Sequence, residues 1–342
     1  MTRLLAAALV VAYAVGCGGK RDESPPHRRA FYFWRTTLAL THAEQKAVND
    51  LGVQRIYVRA FDVAWNDDEK APKPIGVVRG TAPAGVEIVP VVYIKNDVLT
   101  HITAEQAPAV AHAIWLQVAA VEAALGITAP EVQLDCDWTD RTRDRFFALA
   151  RAVKAESKRT VTSTIRLHQI KYRERTGVPP VERGTLMFYN MGRFSADPDE
   201  RMIFDADSAA KYLARIDDYP LPLDVALPIW SWTVHLRDER VIGLMQSTDP
   251  AELPALDFLA ADAAQPGRFV ATRSTFLHGT WLRAGDVLKV EVTGPAETRA
   301  AADLLAPHLA PGERTVTLFD LSERNLTRHG TDDLDQVFRA LR

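Results

Sequence analysis

Two kinds of hydrophobic pattern alternate along this chain. Short runs rich in β-branched and aromatic residues, at 31–35, 55–64, 87–95, 131–139, 160–170, 185–191, 223–232 and 314–321, read as strands. Between most of them apolar residues recur at helical spacing, at 104–125, 207–217 and 332–341, and through Phe146, Phe147, Leu149, Ala150 and Val153. Start and stop signals fit this division. Thr41 with Glu44 three residues on forms a capping-box pattern that Gly52 closes, and Thr139 or Asp140 is the expected cap of the helix after 131–139.

Strands separated by helices imply parallel pairing with crossover connections. Eight such units predict an α/β fold of the (β/α)8 barrel type, as one domain over 30–342. An open doubly wound sheet is the competing topology, but no Gly-rich phosphate loop supports it. The segment 234–293 is long and carries its own strand-like runs at 269–276 and 287–292, with Gly279 and Gly285 as turns. It predicts an insertion at about 233–312, between the seventh and eighth strands, holding a small sheet or hairpin.

The N-terminus reads as a targeting segment. Arg3 precedes the apolar run Leu4 to Val15, too short for a comfortable membrane span, and the run ends in Ala14-Val15-Gly16-Cys17. This ending resembles the lipobox of bacterial lipoproteins, which implies acylation of Cys17, a signal peptide over 1–17 and attachment to a membrane of the cell envelope. Gly18 after the cysteine points to the outer membrane. Residues 18–29 are polar, contain Pro25-Pro26, and predict a flexible tether.

Composition narrows the chemistry further. With 41 Lys and Arg against 44 Asp and Glu, the net charge of −3 and the lack of a long basic run give no nucleic-acid surface. Of the 2 cysteines, acylation of Cys17 leaves only Cys136, which falls on the apolar side of its strand and reads as structural. No zinc-type ligand spacing and no cofactor motif is present, so neither metal nor cofactor is expected.

The most informative stretch is Glu131-Val132-Gln133-Leu134-Asp135-Cys136-Asp137-Trp138-Thr139. Its alternation sends Asp135 and Asp137 to one side, which is costly against an apolar core and tolerable where the strand opens on a polar cavity. The C-terminal rim of a barrel is such a place. The same rim would gather Trp34 and Arg35, Arg59 and Asp62, Tyr93 and Lys95, Arg166 and His168, Tyr189 and Asn190, Trp230 and Trp232, and Asp320. Aromatic faces stack on sugar rings, while carboxylates, amides and guanidinium groups hydrogen-bond to hydroxyls, so this inventory suits a carbohydrate ligand. The structural alternatives are ion pairs of Arg59 with Asp62 and of Arg35 with an acid. His235, His278 and His329 read as solvated loop residues.

Asp135-Cys136-Asp137-Trp138-Thr139 resembles the D-x-D-x-E ending of the fourth strand in family 18 glycoside hydrolases, the chitinase-like barrels, and Met187-Phe188-Tyr189-Asn190 resembles their sixth-strand M-x-Y-D/N motif. The lipobox, aromatic first strand and acidic fourth strand together also resemble bacterial barrel lipoproteins. The hydrolase resemblance implies that Asp137 orients the substrate's acetamido group with Asp135 as its buried partner, and that Tyr189 and Asn190 contact the same group. Thr139 stands where the family has its acid, and a threonine hydroxyl does not protonate a glycosidic oxygen at neutral pH. Two functions remain open: a lipid-anchored enzyme using Asp137 with Asp135, Asp62 or Asp320, or a non-catalytic glycan-binding or envelope-assembly protein.

Overall fold

A computed structural model describes residues 27–191, 195–197, 199–245 and 248–341. The expected signal peptide, Cys17 and all but the last residues of the expected tether lie outside the described residues. Eight strands form the barrel: β1 (Arg28–Phe33), β2 (Arg55–Asn66), β3 (Glu87–Ile94), β4 (Glu131–Asp135), β5 (Thr160–Arg166), β6 (Arg183–Met187), β7 (Leu223–Pro228) and β8 (Thr315–Phe319). Each pairs in parallel with the next, and β8 pairs in parallel with β1, which closes the ring. The (β/α)8 expectation is borne out.

Period-2 alternation sorts every strand between two environments. Phe31 and Phe33, Ile56 and Val58, Val132 and Leu134, Leu186 and Phe188, and Val316 and Leu318 face outward and are sealed by helices into one large apolar core. Helices Ala107–Leu125 and Arg143–Ser157 supply Ile114, Val118 and Val121, and Phe146, Leu149 and Val153 to it. Trp138 belongs to this outer layer: it stacks on Phe146 at 4.7 Å, and its indole N–H donates to the Thr176 carbonyl at 2.8 Å. Cys136 is fully buried there and burial pushes its thiol pKa well up, as befits a structural thiol.

The inner face is layered, with buried polar groups set among apolar side chains such as Ala30, Val89, Val91, Met187 and Ala226. At the N-terminal end Arg55 donates to Glu131 at 2.6 Å, Thr162 donates to the other Glu131 oxygen at 2.7 Å, and Arg183 binds Asp224 at 2.7 Å. In the middle the Tyr32 hydroxyl donates to Gln133 Oε1 at 2.6 Å, and Gln133 Nε2 donates to Thr185 at 3.0 Å, linking β1, β4 and β6 across the lumen. Above them Asp135 accepts from Thr164 at 2.6 Å and from Arg166 at 2.9 Å.

Several boundaries differ from the expectation. Arg28 and Arg29 already belong to β1 rather than to the tether, because their backbone pairs with Thr315 and Val316. β2 runs on to Asn66, beyond the expected end at 64, and folds back antiparallel with Ala71–Ile75. β5 stops at Arg166, since Leu167–Lys171 turns into a short helix that carries His168. β7 stops at Pro228, and Trp232 instead lies on Ser231–Arg237, the first strand in chain order of a separate antiparallel sheet. That sheet has five strands and sits in chain order between β7 and β8. His235 and His329 are buried rather than solvated: His235 meets Asp286 at 2.7 Å, and His329 Nε2 contacts the carbonyls of Ile229 and Thr293.

Gln133→Ala tests the middle layer. The variant leaves the Tyr32 and Thr185 hydroxyls without their partner inside the ring, so urea unfolding is expected to show a loss of about 2–4 kcal/mol with an unchanged m value. A loss below about 1 kcal/mol would mean that the polar bridge does not hold the lumen together.

Candidate functional site

The C-terminal ends of the strands open on a cavity of about 760 Å³. It is lined by Trp34, Arg59, Asp135, Arg166, Tyr189, Asn190, Trp230, Trp232 and Asp320 among the expected site residues. Residues that the sequence did not single out as site residues also line it, chiefly Glu44, Phe319, Arg324 and Asn325.

Its walls are aromatic. Tyr189 meets Trp230 edge-on at 4.8 Å, Trp230 lies 5.2 Å from Phe319 and 6.1 Å from Trp232, and Phe319 lies 5.3 Å from Trp34. Trp34, Tyr189 and Trp230 follow the ends of β1, β6 and β7, Phe319 ends β8, and Trp232 lies on the inserted sheet. Trp232 is tied in by Glu291, which accepts from its indole N–H at 3.4 Å and from the backbone N–H groups of Met202 and Ile203 at 2.7 and 2.5 Å. The inserted sheet therefore completes one wall. The Tyr189 hydroxyl is buried and its pKa is pushed far up by desolvation, so it stays protonated and donates to the Met187 sulfur at 2.8 Å.

The acids around the cavity are not equivalent. Asp135 is held by Arg166 and Thr164. Asp62 lies behind the wall and binds the Arg59 guanidinium through two hydrogen bonds, one of 2.6 Å; Arg59 in turn sits over the Trp34 ring at 5.7 Å. Glu44 is fully buried and accepts from Arg35 through both oxygens at 2.8 Å, from the Thr41 N–H at 2.9 Å and from the Glu323 N–H at 3.1 Å. The expected capping box is present, and its acid also ties the first helix, His42–Asp50, to the helix Glu323–His329. The structural alternatives for Arg59 and Arg35 are thus realised.

Asp320 differs from these. It follows β8, forms no ion pair among the described residues, and accepts from Asn325 Nδ2 at 2.7 Å. Burial raises its pKa, the nearby Arg35 charge and the Asn325 hydrogen bond lower it, and the balance leaves it at about 6.

Asp137 does not line the cavity, and neither does His168. β4 ends at Asp135, and Asp137 stands beyond it at the rim, with its side chain 56% exposed and 3.3 Å from His168 Nε2. The shared alternation of Asp135 and Asp137 ends with the strand. Thr139 is drawn into the next turn: its N–H donates to the Thr142 hydroxyl at 3.0 Å, and the two hydroxyls lie 3.3 Å apart. The helix then begins at Arg143, later than the expected cap.

Of the missed residues, Asn325 carried a legible signal. Ser322 caps the helix that follows β8 directly by accepting from the Asn325 N–H at 3.4 Å, and a Ser-x-x-Asn pattern straight after a barrel strand puts that first turn at the rim. Glu44 was recognised only as a cap; nothing local told of its reach to Arg35.

No family model and no curated protein matches this chain in sequence. Solved structures match it in fold. The Bacillus cereus spore cortex-lytic enzyme SleL aligns over 92% of this chain and 74% of its own, at 10% identity and a TM-score of 0.54. A class V chitinase from Pseudomonas fluorescens Pf-5 aligns over 92% and 99%, at 11% identity and 0.53. The immunomodulatory chitinase TsES1 from Trichuris suis aligns over 92% and 99%, at 10% identity and 0.54. At these identities the likeness establishes the fold alone: these proteins and this chain share the closed (β/α)8 barrel.

The state of Asp320 can be checked through stability. Its folded pKa of about 6 lies above the ordinary carboxylate value, so between about pH 4 and pH 6 the folded chain holds a proton that the unfolded chain has released. Stability attributable to this group is full below about pH 4 and is lost as pH rises through about 6. Asp320→Asn keeps the shape and removes the loss. The variant is expected to be more stable at pH 7.5 by about 1–2 kcal/mol, with no gain at pH 4. Thermal unfolding of both chains at the two pH values checks this; a variant less stable at pH 7.5 would contradict it.

Proposed function

We propose that this chain is a lipid-anchored, glycoside hydrolase-like barrel of the bacterial cell envelope that takes a carbohydrate chain into its mouth. The observation that carries this reading is the cavity itself. Trp34, Trp230, Trp232 and Phe319 offer ring faces and edges, and the Asp135–Arg166 pair, Asn190 and Asp320 offer hydrogen-bonding groups at its base and rim. Structures of the same fold are named for chitin and for spore cortex, which points to an amino-sugar polymer.

The anchor rests on the sequence 1–17 ending in Gly16-Cys17. Strand polarity is compatible with it. β1 starts at Arg28, at the end of the barrel opposite the mouth, so a tether leaving residue 27 toward a membrane would turn the mouth away from the lipid.

A second reading, a glycan-binding protein without turnover, is favoured by Thr139. Its hydroxyl is engaged with Thr142, Asp137 faces solvent beside His168, and Asp135 is neutralised by Arg166, so the family's acid position supplies no proton. Both readings require the sugar to bind in the mouth.

Calorimetric titration of the full-length chain in detergent with chitooligosaccharides, neutral glucans and uronic-acid oligomers tests what they share. Saturable binding of the amino-sugar oligomer is expected, weakened about tenfold by Trp230→Ala. Absence of binding by every sugar at millimolar concentration would sink the carbohydrate reading.

A further inference from the structure

We propose that Asp320, at the end of β8, is the proton donor for cleavage of a glycosidic bond in this mouth, standing in for the acid that the fourth strand lacks. The inference rests on the carbohydrate reading above and adds a catalytic residue to it.

The argument is one of elimination by geometry. A general acid must reach the scissile bond and be free to hold a proton. Among the carboxyl groups lining the cavity, Asp135 is engaged by Arg166, and Glu44 by Arg35 and two backbone N–H groups. Glu323 also lines the cavity, but it is exposed on the first turn of its helix rather than sheltered in the wall. Among the described residues lining the cavity, Asp320 is the carboxyl that is sheltered in the wall and forms no ion pair.

The surroundings of Asp320 explain why it stays uncommitted. The cations that face it are Arg35, from the segment after β1, and Arg324, from the helix Glu323–His329. Both already have carboxylate partners: Arg35 is held by Glu44 at 2.8 Å and Arg324 by Asp249 at 3.0 Å. From β6 it faces the protonated Tyr189. Asn325 donates to its Oδ1 at 2.7 Å, and the Asn325 amide is itself oriented by Arg328, which donates to Asn325 Oδ1 at 3.0 Å. Asn325 fixes Oδ1, and the proton is assigned to Oδ2. A pKa of about 6 accords with that role. Phe319, the preceding residue, meets the rings of Trp34, Tyr189 and Trp230, so the acid stands at the edge of the aromatic wall on which a sugar ring would lie.

The step balances with water as the co-reactant. The proton moves from Asp320 Oδ2 to the glycosidic oxygen. The bond from the anomeric carbon to that oxygen breaks, and its electron pair stays with the departing oxygen. The oxygen of a water molecule bonds to the anomeric carbon, and its surplus proton passes to solvent, from which Asp320 is recharged. One glycoside and one water yield two hydroxyl-ended sugars.

The test compares the full-length chain with Asp320→Asn on two substrates, a chitooligosaccharide and its dinitrophenyl glycoside, with calorimetric binding measured in parallel. A dinitrophenolate leaves without a proton, so loss of the acid should spare it. The expected result is release from the oligosaccharide that falls above about pH 6 in the wild type. In the variant it drops by about 100-fold or more, with binding kept and the loss on the dinitrophenyl substrate under about tenfold. Asp320→Glu should recover part of the activity. Wild-type rates in the variant, equal losses on both substrates with an unchanged pH profile, or a wild type that binds sugar and releases none would each overturn the assignment while leaving the carbohydrate reading in place. Failure of the wild type to bind any of the sugars would remove both.

Discussion

A charge enclosed by a closed ring of strands must find its counter-charge inside the ring, and this condition orders the lumen from bottom to top. Burial without a partner costs several kcal/mol per ion, more than most single contacts return. Glu131 meets Arg55, Asp224 meets Arg183 and Asp135 meets Arg166, with Tyr32, Gln133 and Thr185 filling the layer between by neutral hydrogen bonds. Every inward position of β4 is polar, and each is answered from a different strand. The ring is held in register by these crossings as much as by the apolar shell outside it.

The same rule divides the mouth. On the β2 and β4 side the carboxylates belong to guanidinium groups, and their remaining role is to keep Arg59 and Arg166 in place as hydrogen-bond donors. On the opposite side the wall is aromatic, and Asp320 faces cations that other acids have already claimed. Structural charge and available charge are thus separated within one cavity. Asp320 thereby remains a carboxyl in the mouth that forms no ion pair among the described residues, because the cations near it are satisfied elsewhere.

Much of this was legible in the chain. The barrel strands stood out because outward positions such as Phe31, Val132 and Leu186 repeat with period 2 and helical stretches follow them. Trp34, Tyr189, Trp230 and Asp320 were readable as mouth residues because a strand end in this architecture leads there. The errors came where local pattern runs past a tertiary event. Alternation grouped Asp137 with Asp135, but pairing with β5 stops at Leu134, and the backbone turns so that Trp138 can stack on Phe146. Trp232 continued the pattern of β7 in sequence while its backbone had joined another sheet through pairing with Glu291. The reach of Arg35 to Glu44, and so the isolation of Asp320, depends on where two side chains meet in space, which no spacing along the chain encodes.

The central claim is that the aromatic wall at the barrel mouth is where a sugar is held. The chain has 7 tryptophans, of which Trp34, Trp230 and Trp232 line the cavity, while Trp138 is buried beneath helices and Trp281 lies on an outer hairpin. Fluorine NMR of the 5-fluorotryptophan-labelled chain, with resonances assigned by single Trp→Phe changes, reads each indole separately during titration with a chitooligosaccharide. The account predicts saturable shifts of the Trp34, Trp230 and Trp232 resonances with the others unmoved. A titration that moves Trp281 and leaves the three mouth resonances in place would contradict it.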